Sequence, residues 1–595
     1  MKIGKLVISI LTVGLLGLLY YLWLPALSLA HVDGVMFIMI CLIAVICNIV
    51  MWVSDDEAGI NASMIGGVCF GIGLAILLIG ALIGSPLFNA GAMREQIGEV
   101  EEIAFDEMIK QIDTAQIPIV DQALADKQAE KKLGEDVALG SRVELGEAAI
   151  QEVNGEILFV VPLEHTGFFK WNRHKTTPGY ITVSASNQNK VNYVTEVEGE
   201  KIQVRYSPSA YFGNNLKRHI RNQGFRTQAL TEYTFEIDDT GRPYWVVTTY
   251  ENTTLWGNGE ATGVVIVDAQ TGSTNWYGLS EIPEWVDIVQ PQSFVENQID
   301  NWGTLVKGVF NFSNEDKIKK TDLTLTVYVD GECYYFTGMT SVGSDESCSG
   351  FIMVNTRTKK SQICYLSGAT ESAAMDSAEG LVSDFGYVST EPLPLNVNGI
   401  PTYVMALKDK AGLIKSYAMV NINDYSISAK GDSLQEVSRS YLQTVASNSS
   451  TYVVGSDEAY SYTCEGIVSR ISAVVEDGST YYYLIVEGEK GKIFMAPYTV
   501  SDELSITREG DTIKITYLDD KNGTVDIVSF DNIAFAMPKS EDQERRDEFD
   551  EEASALKSKD NQVVEVNPEE SEEAWNNLSD EEKAKLIQEG LKEAK

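Results

Sequence analysis

The chain has 595 residues, 44% of them apolar, and its 86 Asp and Glu outnumber 46 Lys and Arg for a formal charge of −40. So acidic a surface excludes nucleic acid and anionic lipid as partners over most of its area, while the apolar share suffices for several packed cores.

Three apolar runs come first, Leu6–Leu24, Val35–Val53 and Met64–Ile83. Each is near the ~20 residues that cross a bilayer as a helix. Ser28-Leu29-Ala30 resembles a signal-peptidase site. The first run is too long for a signal peptide and two more follow, so an uncleaved anchor is predicted. Tyr20, Tyr21, Trp23 and Trp52 near the span ends suit a membrane interface. No charged residue interrupts a span, which argues against an ion path. Gly67 with Gly71, and Gly80 with Gly84, have the GxxxG spacing that lets helices approach closely. Packing among the three spans is the expectation, with self-association through the third span as the alternative. Lys2 and Lys5 favour a cytoplasmic N-terminus, which places the bulk of the chain outside the cytoplasm. The acidic 54–63 loop does not reinforce that placement.

After a juxtamembrane segment (93–120), one two-strand pattern recurs four times. A strand pair turns at Gly155, Gly241, Gly331 and Gly399, and further strands follow from Gly179, Gly263, Gly350 and Ser416. The turn glycines lie 86, 90 and 68 residues apart, a loose array of small domains rather than a tight solenoid. A helical stretch precedes each copy, from Gln122, Ala210, Phe294 and Glu371. Each unit is therefore predicted to bury one face of an antiparallel sheet under a helix, with half-buried strands such as Ile181-Thr182-Val183-Ser184-Ala185. The repeats are assigned to 121–205, 206–292, 293–368 and 369–447. Residues 448–536 read as a small β-barrel of the OB-like or SH3-like kind, and 537–595 as an acidic, mostly disordered tail. The fold class is thus membrane-anchored α+β, with residues 1–92 as a three-span anchor.

The second copy, Asp239 to Gly272, reads GRPYWVV and then GVVIVDAQTG. Together with its helix it resembles the PepSY type of small α+β domain of extracytoplasmic bacterial proteins. The resemblance rests on Gly241, Tyr244, Trp245 and the turn Val267-Asp268-Ala269-Gln270-Thr271-Gly272, and it implies a non-catalytic, modulating role.

Motifs for catalysis are missing. The four histidines form no HExxH, and there is no GxSxG, P-loop or CxxC. Ser554 and Lys557 match SxxK by chance in the tail, and Asp520, Asn522, Gly523 and Asp526 suit a hairpin better than a calcium loop. Cys333, Cys348 and Cys364 are expected as buried thiols, with a disulfide as the alternative. No cofactor and no metal is predicted.

One region opposes the global charge: residues 160–245 hold eleven Lys or Arg against eight Asp or Glu. FFKWNRHK sets Lys170, Arg173, His174 and Lys175 beside Phe168, Phe169 and Trp171, and LKRHIR sets Lys217, Arg218, His219 and Arg221 on a helix. Cations beside aromatics can hold an anionic polymer, a lipid headgroup or an acidic partner segment, the chain's own tail included. The reading is a non-enzymatic, membrane-anchored envelope protein whose repeats bind a protein or anionic polymer, but not nucleic acid. Its alternatives are a structural component of a membrane-bound assembly and an enzyme whose site carries no known motif.

Overall fold

The computed structural model describes residues 2–53, 58–110, 117–343, 347–397, 399–447, 461–476, 479–518 and 524–534. The acidic tail, the SxxK match and the turn at 519–523 lie outside them. The chain divides into two compact units, residues 1–462 with 517–528, and 463–516 with 529–595.

The first unit opens with α1 (Lys2–Trp23), α2 (Val32–Val53) and α3 (Ala58–Ile83). All three are long and apolar enough to cross a membrane. A turn leads to α4 (Pro86–Glu95), which has proline in its first turn, where a missing N–H costs nothing.

Four antiparallel meanders follow, a β-rich region of several sheets. Sheet 1 has β1 (Ala149–Val153), β2 (Glu156–His165), β3 (Tyr180–Ser184) and β4 (Val191–Val194). Sheet 2 has β5 (Ala229–Ile237), β6 (Pro243–Thr254), β7 (Gly257–Asp268) and β8 (Thr274–Gly278). Sheet 3 has β9 (Leu325–Val329), β10 (Glu332–Ser341), β11 (Gly350–Asn355) and β12 (Ser361–Cys364), with the strand Val100–Glu102 added in parallel on β12. Sheet 4 has β13 (Leu393–Val397), β14 (Ile400–Lys408), β15 (Ile414–Asn421) and β16 (Ser428–Gly431). Gly155, Gly241, Gly331 and Gly399 each turn the first strand into the second at positive φ, between 78° and 90°. A side chain would strain that backbone.

The sheets bury both faces, which differs from the expectation of half-buried strands. Phe159, Val161 and Leu163 of β2 point into a core shared with sheet 4, α5 (Gln122–Gly134) and α10 (Leu434–Ser447). Val160, between them, points into a core shared with sheet 2 and α7 (Leu216–Asn222). Along β14, Val404 and Ala406 face the first core, whereas Tyr403, Met405 and Leu407 join sheet 3 and α9 (Glu371–Gly380) in another. The other face of sheet 3 packs on α8 (Gln292–Thr304). Sheet 2 turns its second face to Ile282, Val286 and Val289 of the segment that leads into α8. With period-two side chains, two buried faces need unbroken apolar runs such as Val264-Val265-Ile266-Val267, all buried. The helices sit between neighbouring sheets rather than roofing single ones. Caps fix where they start: Asp121 accepts the Leu124 N–H (2.9 Å) and Asn215 that of Arg218 (3.2 Å).

Cys333, Cys348 and Cys364 are separately buried as free thiols. The strands after residue 460 are β17 (Ser461–Glu476), β18 (Ser479–Val486), β19 (Ile493–Pro497), β20 (Thr512–Leu518) and β21 (Thr524–Asn532), hydrogen-bonded in the order β17-β18-β19-β21-β20.

Candidate functional site

The two basic clusters end up in different surroundings. The first forms α6 (Phe168–His174), a two-turn helix entered through Gly167 at φ 111° directly after β2. Trp171 is its buried residue, and Phe168 packs on Phe169, Trp171, Tyr211 and Phe212 with ring centroids 5.3–6.1 Å apart. The ammonium of Lys175 lies 3.6 Å from the centre of the Trp171 ring. Lys170, Arg173 and Lys175 are exposed, as are Phe169 (86%) and Phe212 (56%). His174 is shifted toward its neutral form by desolvation, then by Arg142 and Arg173. Beneath the helix His165 is buried, and burial first, then His174 and Arg142, lowers it to about 4.

The second cluster forms α7 and is consumed by the chain itself, so these four residues do not make the open binding surface the sequence suggested. The last carbonyls of a helix have no partner within it and carry the negative end of its dipole. Lys217 Nζ donates to the Trp23 carbonyl (3.2 Å), Arg218 Nη2 to that of Tyr21 (3.2 Å), and Arg221 Nε to that of Leu24 (3.3 Å). The Arg218 guanidinium also lies 3.8 Å over the Tyr21 ring. Arg221 is buried and donates through Nη1 to the carbonyls of Phe225 (2.7 Å) and Gln228 (2.5 Å). His219 is buried too, its Nε2 2.8 Å from the Gly272 carbonyl. Lys217, Arg218 and Arg221 thus cap the end of α1, while His219 ties α7 to sheet 2.

A second seat is made by the β6–β7 hairpin. Trp256 donates its Nε1–H to the Leu29 carbonyl (3.0 Å), and Asn252 donates to that of Ala30 (2.9 Å). A Cβ on Gly80 would overlap the Trp256 ring, and one on Gly84 the Leu255 carbonyl. The second GxxxG pair therefore receives a hairpin, not another span. The α2–α3 contact uses other glycines: a Cβ on Gly66 would meet Cys47 and one on Gly73 would meet Met39, while Gly67 and Gly71 face open space. Neither Trp256 nor its partner on α3 was picked out from the sequence, because the contact joins residues far apart in the chain.

A cavity of about 270 Å³ lies where sheets 1, 3 and 4 meet the starts of α5 and α8, lined by Asp121, Ile150, Gln292, Tyr328, Glu391 and Leu393 among others. Asp121 is paired with Lys408, and burial, then Asp121, raises the Glu391 carboxyl above its usual range. Close by, Asp287 accepts the Glu152 N–H (2.7 Å) and the Tyr328 hydroxyl (3.1 Å), and burial lifts it to about 6. Glu236 is fully buried, accepts from Thr234 (2.7 Å) and is pushed up to about 8, so it is mostly protonated at neutral pH. Among the described residues no group of three His, Cys, Asp or Glu is arranged to hold a metal ion.

No family model matches the chain, and no curated protein does. Among solved structures, similarity is found to a levansucrase mutant of B. subtilis, at 11% identity and a TM-score of 0.19, over 73% of this chain and 97% of that one. A B. megaterium levansucrase mutant follows at 9% and 0.17, over 75% and 97%. A GDP-Man-dependent mannosyltransferase from Leishmania mexicana stands at 12% and 0.15, over 68% and 97%. At such scores none of them carries an argument about fold or function.

Proposed function

We propose that this chain is a non-enzymatic, membrane-anchored protein that holds four copies of one repeat, with a small barrel beyond them, outside the cytoplasm to bind a protein or an anionic polymer. The observation that carries the reading is the α6 surface. Lys170, Arg173 and Lys175 are exposed beside Phe169 and Phe212, whereas the α7 cations are spent on capping α1. Cations set against aromatic faces suit an anionic partner. The PepSY-like stretch 239–272 supports a modulating role, and the seating of sheet 2 on the span ends supports a rigid platform.

The test is the full chain in detergent with Lys170, Arg173 and Lys175 all changed to Gln. Retention of inorganic polyphosphate, and the protein cross-links formed in whole membranes, should both fall at least fivefold. Unchanged retention and unchanged cross-links sink the reading. A second reading, a structural component of a membrane-bound assembly, is favoured by the open face at Gly67 and Gly71. Under it, Gly67→Ile with Gly71→Ile lowers the particle mass, and an unchanged mass removes it.

A further inference from the structure

We infer that the α6 surface is an interfacial membrane anchor, in which Phe169 and Phe212 enter the headgroup region of the bilayer and Lys170, Arg173 and Lys175 engage the phosphates of anionic lipids. The inference rests on the reading that this surface is the binding contact, and it names the partner.

One side chain ties the aromatic cluster to the membrane span: Arg218 donates through Nη1 to the Phe212 carbonyl (2.8 Å) and through Nη2 to the Tyr21 carbonyl (3.2 Å). Tyr21 lies in the last turn of α1, a candidate span that ends at Trp23. Phe212 is thus one guanidinium away from the end of a membrane helix, and the Phe212 ring is 6.1 Å from Phe168 and 5.7 Å from Trp171. The cluster is continuous with the interface that the spans already require. Tyr20, Tyr21 and Trp23 lie at the same end of α1, the level at which aromatic belts sit.

An exposed aromatic pair costs solubility in water but gains from burial at the hydrocarbon edge. Buried Trp171 holds the helix to the domain, so Phe169 is presented rather than packed. In a chain of charge −40 this local set of cations stands where it can meet the phosphates of anionic lipids. The α7 cations cannot serve, since the α1 carbonyls hold them. An anionic lipid headgroup fits both halves of the surface, the apolar and the cationic.

The experiment places photoreactive benzoylphenylalanine at Phe169, Phe212 or, as a control, Phe312, which is 83% exposed on another part of the chain. The full chain is irradiated in native membranes and in nanodiscs of phosphatidylcholine with or without phosphatidylglycerol. Lipid adducts are expected at 169 and 212 and not at 312. Phosphatidylglycerol should raise the yield severalfold, and changing Lys170, Arg173 and Lys175 to Gln should abolish that rise while leaving the melting temperature unchanged. Adducts at 169 only to protein or polysaccharide overturn the lipid assignment and leave the binding reading standing. Absence of any adduct at 169 and 212 overturns both. Equal yields with and without phosphatidylglycerol overturn the role given to the cations.

Discussion

FFKWNRHK and LKRHIR are near-equivalents in composition and opposites in use. Both became short helices with basic faces, yet α6 turns its cations to solvent and α7 turns them onto the carbonyl end of α1. What separates them is whether an unsatisfied acceptor lies within reach. A helix end supplies several such acceptors at once, so whichever basic helix reaches it is converted from a surface into a joint. Charge clusters in a sequence therefore announce a need for anions or dipoles without saying whether the chain meets that need itself.

The comparison predicts unequal costs. Arg221→Ala should be the most damaging change, about 4 kcal/mol, because a buried cation and the carbonyls it serves lose one another. Urea unfolding of the full chain in nanodiscs measures it, and a loss below ~1 kcal/mol would show that α7 is not a joint. The α6 side should instead be sensitive to acid. His165 is held near 4 when folded against about 6.5 for a free imidazole in the unfolded chain, so the folded protein binds fewer protons than the unfolded one between those values. Its stability contribution is intact above pH 6.5 and falls between 6.5 and 4, by about 3 kcal/mol in all. Urea unfolding of the full chain in nanodiscs, repeated from about pH 4 to 7, should lack that part of the slope in His165→Gln; an identical slope would mean that other groups drive it.

Two smaller effects sharpen the contrast. Gly80→Leu should displace the Trp256 ring and cost about 2 kcal/mol, read as increased proteolysis at the β6–β7 hairpin. Undisturbed protection there would remove the hairpin from the seat. Changing Lys170, Arg173 and Lys175 together to Gln should alter stability by no more than about 0.5 kcal/mol, since all three are exposed. A larger loss in calorimetry would make α6 a structural element like α7.

Much of the architecture was readable. The three spans follow from unbroken apolar length, and the turn glycines mark where each first strand meets its second. The burial of both faces was half-visible. Runs such as Val264–Val267 and Phe351–Val354 carry no polar face, but Ile181-Thr182-Val183 alternates and still lies entirely buried. Thr182 and Ser184 are small enough to be covered by a neighbouring sheet, and alternation alone does not reveal that the neighbour exists. The candidate site was legible as residues and not as a surface. All nine basic and aromatic positions could be picked out by type, but Arg221 meets its acceptor at Leu24 across 197 positions of chain.

By itself the sequence determined the anchor, the strands and the reversal of charge between residues 160 and 245, because apolar length, strand period, glycine turns and local charge are properties of neighbouring residues. Tertiary structure alone decided that Gly80 and Gly84 would receive Leu255 and Trp256, that sheets would share cores in pairs, and that α6 rather than α7 would stay open. Those outcomes depend on which distant backbone groups still lack partners once the cores close, and that is settled only when the chain has folded.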